Sequence, residues 1–166
     1  MRLGFKQSAG TVAALAVLLF AHSQLQAQGP FGAPSGNSAF SIPQAQWIQP
    51  EELNRMLHRN DSEKQLVLQV GSHVLFEQAH IPGSEYSGPG SQPAGLQQLQ
   101  NRVAPLARTT LIVLYCGCCP WNRCPNVAPA FRLLQGLGFT RVKVLYLADN
   151  FGTDWASKGY PVERSR

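Results

Sequence analysis

The sequence predicts an α/β domain built on a mainly parallel central sheet. Segments with strand character alternate with segments of helical period, which is the pattern of such folds. The strand segments are apolar throughout, as strands covered on both faces are. The chain of 166 residues is the size of one domain with a single core.

In chain order, Gln46, Trp47 and Ile48 make a short first strand. Pro50, Glu51 and Glu52 then open a helix, and Leu53, Met56 and Leu57 at i, i+3 and i+4 give it one apolar face. Glu51 and Glu52 read as first-turn charges, not as a catalytic pair. Residues 66–70 form a second strand. A second helix is expected over residues 95–106, where Leu96, Leu99 and Val103 share a face. Residues 110–115 carry the strongest strand signal and run straight into Cys116. After a cysteine-rich loop, Val127, Phe131, Leu134 and Leu137 repeat at helical spacing until Gly138 supplies a stop. Residues 142–147 form another strand. Thr153 or Asp154 is expected to cap a last short helical turn ended by Gly159. Trp155, beside that cap, is explained by packing.

Residues 1–27 read as an export signal. Arg2 and Lys6 supply a positive start, residues 11–21 an uncharged apolar run, and Ser23 and Ala27 the small residues of a cleavage site. That run is short of the roughly 20 residues a membrane span needs, so no stable span is expected once the signal is removed. Residues 28–41 are rich in Gly, Pro, Ser and Asn and read as a flexible linker. The folded domain is then 42–163, periplasmic or secreted, in an oxidising compartment.

Only 14% of residues are charged, which excludes an acidic disordered chain and a salt-bridge-laced coiled coil. The formal net charge is +5, from 14 basic and 9 acidic residues; without Arg2 and Lys6 it falls to +3. The basic residues stand singly, with no run to follow a phosphate backbone, so nucleic acid is not an expected partner.

All four cysteines, Cys116, Cys118, Cys119 and Cys124, lie within nine residues, which marks a site and not a distributed staple. Cys116 ends a strand and is followed by a loop that feeds a helix beginning near Pro125 or Asn126. Ligands of α/β folds sit outside the carboxyl ends of the strands. A thiol before a helix N-terminus is acidified and becomes a nucleophile. Arg123 adds a positive charge that stabilises either the thiolate or a bound anion.

Four blocks in order carry a family resemblance. Residues 77–84 (Glu-Gln-Ala-His-Ile-Pro-Gly-Ser), the strand 110–116 ending in Tyr-Cys, Gly136-Leu137-Gly138-Phe139 with the strand after it, and Gly159-Tyr160-Pro161-Val162 together resemble rhodanese-like domains. The resemblance implies a single domain with a five-stranded parallel sheet flanked by helices on both faces. It also implies a sulfurtransferase whose nucleophile, Cys116, takes sulfane sulfur from thiosulfate or a persulfide and passes it to a thiol or other acceptor. Its partners would be a small sulfur-containing anion or thiol acceptor, with a periplasmic redox partner in the same compartment. The substrate-binding groups would be Gly117 and the backbone N–H groups after it, with Arg123 and Trp121. No metal or organic cofactor is required. His80 would be a structural residue of the His-Ile-Pro-Gly turn, and His73, standing alone, a surface residue.

The departures from the family pattern fall in the loop. It is longer than usual, Pro120 and Pro125 interrupt its run of N–H donors, and Gln69-Val70-Gly71 replaces a frequent Asp-Val-Arg. Three readings of the extra thiols stay open. Cys124, just before the helix where a thiol is also acidified, resolves an oxidised or persulfidated Cys116, which on this scaffold would also make a thiol-disulfide oxidoreductase. Cys118 and Cys119 pair with the other cysteines as a protective staple. Or all four hold zinc or cuprous ion in a non-enzymatic metal-binding module. Trp121 either walls a substrate pocket or shields the thiols from water.

Overall fold

The computed structural model describes residues 42–59 and 65–165; the expected signal at 1–27 and linker at 28–41 lie outside the described residues. Five strands are present: β1 (Trp47–Ile48), β2 (Leu66–Gln69), β3 (Glu85–Tyr86), β4 (Ile112–Tyr115) and β5 (Val142–Leu145). They form one sheet in the order β1-β5-β4-β2-β3, with every neighbouring pair parallel. The helices are α1 (Pro50–Leu57), α2 (His73–Gln78), α3 (Pro93–Val103), α4 (Val127–Gly136) and α5 (Phe151–Asp154).

The central strand β4 is buried along its whole length, and its alternation sorts the core into two halves. Ile112 and Leu114 pack with Leu68, Val144, Leu99 of α3 and Phe131 of α4. Val113 and Tyr115 face the other way, toward Val67, Leu145, Leu53 of α1 and Phe151 of α5. Helices therefore cover both faces, and the fully apolar strand runs are explained. Each buried Leu or Val side chain contributes roughly 1.5–3 kcal/mol of burial free energy. One residue past β4, the same alternation turns Cys116 toward the α3 and α4 side.

Two elements escape the sequence reading. Helix α2 is only six residues long and buries only Phe76, and β3 is two residues long, so neither carries a full period. His73 is exposed as expected, at the start of α2, with its ring edge on Tyr86 at 4.6 Å. The expected cap of the last helical turn is corrected. Asn150 caps α5, accepting from the Thr153 N–H at 2.9 Å. The Asp154 carboxylate instead accepts from the N–H groups of Asp149 and Asn150. Gly159, at φ +78°, ends the 3₁₀ turn Ala156–Lys158 that follows.

The His-Ile-Pro-Gly turn is fastened to the end of β4. His80 exchanges two backbone hydrogen bonds with Glu163, and its Nδ1 donates to the Phe76 carbonyl at 2.7 Å. The Ile81 N–H donates to Tyr115 Oη at 3.3 Å, and Ser84 Oγ shares a 3.1 Å hydrogen bond with the same oxygen. Burial pushes the Tyr115 hydroxyl up to about 12. Tyr115→Phe strands the buried Ile81 donor, and a loss of about 1–3 kcal/mol in urea unfolding is expected.

Candidate active site

The chain leaves the sheet at Cys116 and reverses at Gly117, whose φ is +78°. A Cβ at Gly117 would lie 2.9 Å from the Phe151 Cβ, so both conformation and space require glycine. The reversal brings Cys118 Sγ to 3.0 Å from Cys116 Sγ, and Cys119 Sγ lies 3.1 Å from Cys118 Sγ. A 3₁₀ turn, Trp121–Arg123, then leads to Cys124 immediately before α4. All four cysteines are free thiols; Cys116 and Cys124 are buried, Cys119 is partly buried and Cys118 is exposed.

Neighbouring loops fix this arrangement. The Trp121 N–H donates to the Ala148 carbonyl at 3.1 Å, and the Phe151 N–H to the Gly117 carbonyl at 3.1 Å. The Trp121 ring is buried edge-on against Trp47 at 5.0 Å and tilted against Tyr146 at 5.2 Å. From β2, the buried Gln69 amide donates to the Cys116 carbonyl at 3.0 Å and accepts from the Gly71 N–H at 3.1 Å. At Gly71 a Cβ would lie 2.7 Å from Cys116 Sγ, so glycine there lets the β2 end approach the sulfur. Asn126 occupies the N-cap position of α4 without a side-chain capping bond. Its amide donates to Cys116 Sγ at 3.3 Å, and its Oδ1 accepts from the Ser91 N–H at 3.0 Å.

Gln69, Gly71 and Asn126 therefore belong to the site. The sequence offered the Gln-Val-Gly substitution and an asparagine at a helix start as signals, but neither says that a side chain reaches Cys116.

Cys116 and Cys124 are both expected to be acidified, and the electrostatics lower Cys124 but raise Cys116. The N–H groups of Asn126 and Val127, at the start of α4, donate to the Cys124 sulfur. With the hydrogen bond from Cys116 as the larger cause, they help hold the Cys124 thiol at about 7. Hydrogen bonding from Cys116 brings Cys118 down to about 6. Cys116 is pushed up, because it donates to the sulfurs of Cys118, Cys119 and Cys124 and is buried. Negative charge in the cluster is thus favoured on Cys118 and Cys124 and disfavoured on Cys116.

Cys116, Gly117 and Cys118 open onto a cleft of ≈ 290 Å³ at the ends of β2 and β4, walled also by Gln69, Tyr115 and Phe151. Among the described residues, neither Arg nor Lys lines this cleft. Arg123, expected in an anion cradle there, instead borders a separate groove of ≈ 570 Å³ with Trp47, Trp121 and Tyr146. The 3₁₀ turn buries Trp121 and leaves Asn122 and Arg123 exposed on the outside of the loop. The expected backbone cradle is also reduced. The N–H groups of Trp121, Arg123 and Cys124 already serve the carbonyls of Ala148, Pro120 and Trp121, and Pro120 and Pro125 have none.

Behind the cleft, Cys116, Cys119, Cys124, Trp121 and Leu147 border a void of ≈ 10 Å³. The sulfurs of Cys116, Cys119 and Cys124 lie within 4.8 Å of one another, a donor set suited to one soft metal ion. Trp121 touches both the void and the outer groove, so shield and groove wall are the same residue.

Neither the protein-family models nor the curated proteins contain a match to this chain. Solved structures do match in fold. The BH2092 protein of Bacillus halodurans is 21% identical with a TM-score of 0.56, over 72% of this chain and 77% of that one. The rhodanese-like domain of the Alr3790 protein of Anabaena sp. is 21% identical with a TM-score of 0.52, over 72% and 79%. A thiosulfate sulfurtransferase from Pseudomonas aeruginosa is 24% identical with a TM-score of 0.52, over 74% of this chain and 20% of that one. The fold is thus rhodanese-like, a single α/β domain on a five-stranded parallel sheet.

The thiol acidities set a pH dependence for the reduced protein. Cys118 and Cys124 ionise in the folded state near 6 and 7 and in the unfolded chain near 9, so the unfolded chain binds more protons between these values and stability rises with pH there. Above about 9 the unfolded chain loses the Cys116 proton that the folded state keeps, and stability falls. Urea midpoints across pH 5–10 are expected to peak near pH 9; Cys118→Ser should lose part of the rise.

Proposed function

We propose that this protein is an exported sulfur carrier: Cys116 accepts sulfane sulfur as a persulfide and passes it to a thiol acceptor. The observation that carries this reading is a free thiol one residue past the central strand of a rhodanese-like fold, opening on a cleft at the strand ends. Export rests on the signal-like residues 1–27.

Among the described residues the cleft bears no cationic side chain, which favours a sulfane sulfur carried on a thiol, R–S–SH, over a free dianion such as thiosulfate. In the transfer, Cys116 attacks the outer sulfur of R–S–SH. Its proton passes to the Cys118 thiolate across the 3.0 Å contact. The products are Cys116–S–SH, Cys118–SH and R–S⁻, so atoms and charge balance.

Reduced protein exposed to polysulfide or a low-molecular-weight persulfide should gain about 32 Da, one sulfur atom. Cys116→Ser should abolish the gain, as read by intact mass on alkylated samples; equal uptake by that variant would sink the assignment.

A second reading is favoured by the three sulfurs within 4.8 Å of one another, which could together hold cuprous ion or zinc. Protein purified under reducing conditions and loaded with one metal equivalent would then retain it against a mild chelator, and Cys124→Ser would release it.

A further inference from the structure

Resting on the sulfur-acceptance reading, we infer that this site does not store its sulfur but reduces it: Cys118 attacks Cys116–S–SH at Cys116 Sγ, forming a Cys116–Cys118 disulfide and releasing hydrosulfide. The activity is a two-thiol sulfane-sulfur reductase, and its substrate class is the thiol-borne persulfide.

Three observations lead here. Cys118 Sγ already stands 3.0 Å from the sulfur it would attack, and it is the exposed thiol of the four. Gly117 holds the two thiols together through a left-handed turn that no other residue fits without displacing Phe151. A carrier must also protect its persulfide anion with donors, and here three loop N–H groups are bonded to carbonyls and two residues are proline. The persulfide is left beside a thiol, with a cradle reduced to the first N–H groups of the loop. The cleft onto which both sulfurs open gives the small product a way out.

The step balances. Cys118–SH first gives its proton to the departing R–S⁻; Cys118–S⁻ and Cys116–S–SH then give Cys116–S–S–Cys118 and HS⁻, the bond formed being Cys118 S to Cys116 S and the bond broken Cys116 S to the outer sulfur. The outer sulfur is reduced to sulfide and the two thiols are oxidised. A second turnover requires an external dithiol reductant, which an oxidising compartment must supply as a dedicated partner. Of the readings open for the extra thiols, the inference keeps the resolving one and gives it to Cys118 in place of Cys124.

The test uses the reduced full chain and one equivalent of glutathione persulfide, without oxygen. Sulfide is trapped as its bimane derivative and the protein is mapped by mass. The expected result is about one sulfide per chain, released at a rate independent of added free thiol, and a disulfide between Cys116 and Cys118. Cys118→Ser alters an exposed side chain. It should take up sulfur more slowly, for want of the Cys118 thiolate as proton acceptor, but once loaded keep it on Cys116 and release sulfide at least tenfold more slowly, with a rate that now depends on added thiol. Sulfur retained on Cys116 in the unaltered chain, a disulfide mapped to Cys124, or unchanged release by Cys118→Ser overturns the inference and leaves the carrier reading standing. Failure of the unaltered chain to take up any sulfur overturns both.

Discussion

Four sulfurs packed within a few ångströms cannot all carry charge, and that repulsion organises the loop. Thiols that donate to a neighbouring thiolate must keep their own protons. The hydrogen bonds among the sulfurs then sort them, and burial adds to the cost at Cys116. Cys118, facing solvent, can hold a charge that water helps to stabilise, while Cys116, under Trp121 and the α4 side of the core, cannot. The rest of the site serves this asymmetry. Gln69 and Asn126 fix where Cys116 sits, and the outward-turned Arg123 leaves the cluster without a competing cation.

The scaffold supplies the geometry at little cost. Parallel strands bring their carboxyl ends to one edge, so β2 and β4 deliver Gln69, Gly71 and Cys116 side by side without any dedicated loop. The β5-to-α5 connection lies against the same edge and fastens the cysteine loop through the Ala148 and Gly117 carbonyls. The exchange of a charged strand end for Gln-Val-Gly is consistent within this frame. A neutral amide clamps the Cys116 carbonyl, and the missing Cβ admits the sulfur.

Much of the fold was legible in the sequence, because β4 and α4 have long, strong hydrophobic signals and the His-Ile-Pro-Gly turn is a distinctive string. The parts that were not legible are short or depend on long-range contact. Helix α2 and strand β3 carry too few buried residues to show a period. The nine-residue spacing located the thiols, but their order of ionisation depends on sulfur-to-sulfur distances that only the Gly117 turn defines. Arg123 illustrates the same limit. Its proximity in sequence to Cys116 suggested partnership, and one buried tryptophan two residues earlier was enough to turn it to the other side of the loop.

Cys124 is where the chemistry meets the framework. Its sulfur receives the first N–H groups of α4, a duty that Asn126 has given up in order to reach Cys116. A sulfur that enters a disulfide or binds a metal ion has less electron density to offer those amides. The opening turn of α4, which packs directly on the sheet, thereby becomes a gauge of the state of the loop. A change of a single bond at the cysteines can be read at a distance, in how firmly one helix begins.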